Sequence, residues 1–79
     1  MMNPRVKTVT PQKDFTLLVG FTSGEKKVFD VKPYLDKGVF TELKDPQLFM
    51  KAVPALGTVV WPNELDFCPD TIYLEAKSI

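Results

Sequence analysis

The 79 residues contain no histidine and a single cysteine, Cys68. Without imidazole there are no Ser-His-Asp or Cys-His triads and no His-ligated metal sites. One thiol cannot close an internal disulfide, and it cannot hold zinc or an iron–sulfur cluster through several cysteines. A reducing, cytoplasmic setting is therefore expected. The four glycines, at 20, 24, 38 and 57, are scattered, so neither a phosphate-cradling loop nor a dinucleotide fingerprint is present. No apolar run approaches the roughly 18 residues of a membrane span. The opening MMNPRVKTVT lacks the apolar stretch of a signal peptide. Net charge is missing too: ten Lys/Arg balance ten Asp/Glu, against the profile of a general polyanion binder.

What remains is ordinary globular chemistry, 44% hydrophobic and 25% charged, enough for one small domain over residues 1–79. The charge is unevenly spread. Residues 1–51 carry nine basic and six acidic side chains, whereas residues 52–79 carry Lys77 against Glu64, Asp66, Asp70 and Glu75. Solvated faces explain this; so do two surfaces of opposite sign offered to partners.

The β-branched RVKTVT suggests a first strand and PQKD a turn. FTLLVGF then places Phe15, Leu17, Val19 and Phe21 on one face at period two. TSGE is a tight turn around Gly24, and KKVFDV returns as a third strand with Val28 and Phe29 to bury. In DVKPYLDKG, Asp30 can cap a single helical turn that Gly38 stops. VFTELKDPQLFMKAV predicts two very short helices, the second capped by Asp45 with Pro46 at its first position. ALGTVVW predicts a fourth strand and ELDF a short fifth, joined by a turn at Trp61–Glu64. CPDTIYLEA opens a last helix that buries Ile72, Tyr73 and Ala76. The expected class is α+β: a mostly antiparallel sheet, built from an N-terminal three-stranded meander plus a C-terminal hairpin, covered by short helices.

Few residues carry chemistry. Cys68 sits at a helix N-terminus, which favours a thiolate, but no base accompanies it and Asp66 and Asp70 oppose ionisation. Asp66 and Asp70 could pair for acid/base work, or join Glu64 around a hard cation, but the spacing of a calcium loop is absent. No catalytic residue, metal or cofactor is assigned. Arg5, Lys7, Lys13, Lys26, Lys27 and Lys32 could line a single-strand platform, yet Phe15, Phe21 and Phe29 are needed for the core, so direct nucleic-acid binding is not favoured. Trp61 has two readings, core residue and interface anchor. With Asn63, Asp66 and Tyr73 it forms the expected protein-binding edge.

Three blocks, FDVKPYLDKGVFTELKDPQLF, LGTVVWPNELDF and CPDTIY, resemble a small bacterial family, domain of unknown function 2442, over nearly the whole chain. That resemblance implies an α+β prokaryotic protein without assigned activity. Some members are joined to a helix-turn-helix; others are encoded beside a small protein, as toxin–antitoxin pairs are. Since this sequence stops at Ile79, a transcriptional role is expected to need a partner. The family often has Asn-Gly where this chain has Asn63-Glu64, which favours a Pro62-led turn here. The leading expectation is a non-enzymatic interaction module that binds a small protein partner or itself. The alternative is a nucleic-acid-linked regulator acting directly or through a DNA-binding partner.

Overall fold

The computed structural model describes residues 3–78. Its main sheet is antiparallel and four-stranded. The first three strands, β1 (Val6–Pro11), β2 (Thr16–Phe21) and β3 (Lys26–Asp30), form the expected meander. Two 3₁₀ segments follow, Lys32–Tyr34 and Gly38–Lys44, then the one-turn helix α1 (Pro46–Phe49). A separate hairpin pairs β4 (Val53–Ala55) with β5 (Thr58–Val60). Helix α2 (Pro69–Glu75) then leads into β6 (Lys77–Ser78), which pairs with Lys27 and Val28 of β3. Among the described residues no helix is long and apolar enough to cross a membrane.

Period two decides which face of the sheet is buried. Leu17, Val19, Phe21 and Phe29 point into a core completed by Val31, Leu43, Phe49, Val59, Trp61, Phe67 and Ile72. Thr8, Thr10, Leu18 and Val28 alternate to the other face, so Val28 is only half-buried. It could not share the core with Phe29, because successive side chains in a strand oppose each other. Asp45 caps α1 as expected, its carboxylate accepting from the Gln47 backbone N–H at 3.0 Å. The Lys32–Tyr34 turn is capped by Val31 with no side-chain bond, and the Asp30 carboxylate instead accepts from Lys32 N–H at 2.9 Å in a local turn.

Three chain reversals share one pattern. Phe15 N–H donates to Gln12 C=O while Gln12 N–H donates to Thr16 C=O. Gly24 with Phe21 and Glu25, and Glu64 with Trp61 and Leu65, repeat it. In each, the third loop residue takes positive φ: 61° at Phe15, 90° at Gly24 and 69° at Glu64. This is the three-residue loop closed by a left-handed residue, a position that suits glycine.

Two strand assignments are corrected. ALGTVVW is not one strand: the chain reverses at Leu56-Gly57, whose φ values of 54° and 77° make a two-residue hairpin turn with both central residues left-handed. The expected ELDF strand reduces to one bridge, Val60 to Asp66, although the Pro62-led turn before it is present. There Glu64, not Asn63, adopts positive φ.

Candidate functional site

The described surface holds a cleft of about 700 Å³ between the β1–β2 turn and α1. Its apolar part comes from Phe15, Pro46, Phe49 and Met50, and its polar part from Gln12, Lys13, Gln47 and Lys51. No acidic residue lines it. Local sequence explains the placement. The Asp45 cap and Pro46 start α1 at this point, so Phe49 turns inward while Met50, at the helix end, stays 47% exposed. Phe15 reaches the cleft from the opposite wall, its ring edge-on to Phe49 with centroids 5.1 Å apart.

Phe15 is the unusual member. It occupies the left-handed position that Gly24 fills in the next turn, and a bulky side chain there costs about 1–2 kcal/mol of backbone strain. The surroundings hold it. Thr16 Oγ1 lies 2.7 Å from Gln12 Oε1 and 2.5 Å from Asp14 Oδ1, and the Thr16 hydrogen bond is the main reason the Asp14 carboxyl sits below its ordinary value. Val31 N–H donates to Phe15 C=O at 3.0 Å. Lys13 and Lys51 form no ion pair with a carboxylate among the described residues; the two ion pairs present are Lys32–Asp30 and Lys44–Asp36.

The four expected site residues do not converge. Trp61 is 2% exposed and its indole N–H donates to Phe49 C=O at 3.0 Å, so its ring packs in the core, where it finds both apolar contact and a carbonyl acceptor. Asn63 is half-buried in its turn, its Oδ1 accepting from Leu65 N–H at 3.4 Å while its Nδ2 is buried with no partner among the described residues. Asp66 is exposed beside Val60. Tyr73 lies elsewhere, on α2, edge-on to Phe21, with the Lys27 ammonium 3.7 Å above its ring. Its hydroxyl donates to Glu25 at 2.8 Å, which lowers the Glu25 carboxyl and raises the Tyr73 phenol.

The weaker candidates also separate. Cys68 is exposed and its side chain caps nothing. Asp70 accepts from Asn3, and no three His, Cys, Asp or Glu residues gather at metal-binding distance among the described residues. Sequence reasoning missed the cleft because it counted Phe15 simply as core. The available signal was the pair Asp14-Phe15, where the following turn has Ser23-Gly24.

The family described as a protein of unknown function, DUF2442, matches residues 6–78. The chain belongs to the DUF2442 family. No curated protein and no solved structure matches it. The cleft-forming segments of this DUF2442 domain, at residues 12–15 and 46–51, both fall inside the matched region.

Proposed function

We propose that this DUF2442 domain is a non-enzymatic protein-interaction module, and that the cleft between the β1–β2 turn and α1 receives its partner. One observation carries the reading. A solvent-open apolar cleft is bounded by Phe15, an aromatic residue in a strained left-handed backbone position that Gly24 and Glu64 occupy in the two equivalent turns. Strain at a concave apolar surface is where binding function concentrates, and Met50 offers a soft, adaptable contact at its mouth. The partner in this reading is another small protein, of the kind a toxin–antitoxin-like pair supplies. Direct nucleic-acid binding has less support, because Phe21 and Phe29 are spent in the core. The open sheet face carries Thr8, Thr10, Leu18 and Val28 and no stacking ring.

A photoreactive residue placed at Met50 tests the proposal in extract of the native host. One protein species should cross-link there and not from Val39, which is comparably exposed at 59%. Equal labelling from both positions, or none from Met50, overturns the proposal.

A further inference from the structure

Resting on that docking reading, we infer that the cleft selects a partner segment in which a bulky apolar side chain is followed closely by carboxylates. The apolar part fills the space between Phe15, Phe49 and Met50. The carboxylates meet Lys13 and Lys51, which reach the same cleft from opposite walls, one on the β1–β2 turn and one after α1.

Charge complementarity decides the class of occupant. The cleft lining contains two cations and no anion. The carboxylates nearest in sequence are already engaged: Asp14 with the Thr16 hydroxyl and Asp45 with the Gln47 N–H. Two other lysines do have carboxylate partners, Lys32 with Asp30 and Lys44 with Asp36. Lys13 and Lys51 have no carboxylate partner among the described residues and lie beside apolar surface, where an incoming carboxylate is attracted and a cationic segment is repelled. Gln12 and Gln47 add amide donors and acceptors that suit the backbone of an extended segment. Carboxylate preference and apolar anchoring are therefore separable parts of one recognition event.

The probes are two capped peptides with one Phe anchor, identical except that two Glu residues after the anchor are Gln in the second. Binding is followed by NMR through the amides of residues 12–15 and the Met50 methyl at low salt. The Glu peptide should bind at the cleft about five-fold tighter, the scale of two exposed ion pairs. That preference should shrink towards one at high salt. It should vanish in Lys13→Gln/Lys51→Gln and survive in Lys13→Arg/Lys51→Arg. Both lysines are exposed, so either variant keeps its fold, as circular dichroism will verify. Equal binding of the two peptides at the cleft overturns the carboxylate inference and leaves the docking reading standing. Shifts confined to another face, or no shifts beside a positive Met50 cross-link, do the same. No shifts and no cross-link overturn both.

Discussion

The indole N–H of Trp61 donates to the carbonyl oxygen of Phe49 at 3.0 Å, inside the core. This bond ties the end of β5 to the end of α1, so it fixes the helix whose Phe49 and Met50 form one wall of the cleft. Phe49 C=O also accepts from Ala52 N–H at 3.3 Å, which turns the chain out of the helix. Trp61→Phe keeps an aromatic ring but removes the donor and part of the volume. It should cost about 2 kcal/mol, seen as a lower urea midpoint with unchanged slope. A loss within experimental error would mean that the indole is not holding α1.

The hairpin tip presents Leu56 95% exposed and in left-handed backbone. Its neighbour Gly57 sits at a φ of 77° that strains any other residue, and a Cβ there would also press on the Arg5 side chain, 3.1 Å from its Cδ. Leu56→Asn restores the Asn-Gly pair that this turn prefers. It should stabilise the domain by about 1 kcal/mol, raising the thermal midpoint. Cleft binding should not change. A lower midpoint would show that Leu56 makes a stabilising contact.

For Phe15 the backbone and the side chain pull in opposite directions. Phe15→Gly relieves the left-handed strain while losing the edge-on contact with Phe49. The net cost should be about 1–2 kcal/mol, below the 3–5 kcal/mol of an ordinary core Phe truncation. Partner cross-linking from Met50 should disappear even under conditions where the variant is fully folded.

At the N-terminus of α2, Cys68 has the extended backbone of a cap (φ −62°, ψ 129°) but supplies no side-chain bond. Cys68→Ser offers a better acceptor and should add about 0.5–1 kcal/mol. A fold-preserving Cys68→Ser that abolished biological function would instead point to thiol chemistry.

Stability should fall at both ends of the pH range. Glu25, Asp14 and Asp36 have carboxyls lowered by hydrogen bonds from Tyr73, Thr16 and Lys44 respectively. Their contributions are present above the ordinary values of 4.5, 3.8 and 3.8 and are lost as pH drops through the folded values. Tyr34 runs the other way. Its hydrogen bond to Glu75, then burial, raise the phenol from 10.0 to about 12. That contribution is complete below pH 10 and is lost as pH climbs through about 12. The Tyr73 phenol is raised as well, so ultraviolet titration should show both phenolates forming late, with Tyr34→Phe removing the later one; an unchanged high-pH end of the titration in Tyr34→Phe would contradict the Tyr34–Glu75 bond.

Much of the fold was legible because local rules and burial agreed. The alternation in β2 fixed its inward face, Asp45-Pro46 marked the start of α1, and Pro69 marked that of α2. Reading failed where two turns competed for one hairpin. Both Leu56-Gly57 and Pro62-Asn63 can reverse a chain, and short-range chemistry favoured the second because leucine is a poor left-handed residue. Val6 N–H bonding to Gly57 C=O at 3.0 Å draws the first turn against β1, a long-range contact that no local pattern announces. Lys77–Ser78 escaped notice for the same reason: two polar residues become a strand only when β3 offers an edge.

The sequence by itself determined the class of this protein, its family, and the imidazole and multi-thiol chemistries it lacks, because these follow from residue identity and periodicity. Only the tertiary structure decided that Trp61 is buried, with its indole N–H bonded to the Phe49 carbonyl. It alone brought Phe15, Lys13 and Lys51 to one cleft. Those outcomes depend on which of several suitable surfaces each side chain meets, and that choice is made between elements far apart in the chain, by packing and by the few hydrogen bonds that a closed core must satisfy.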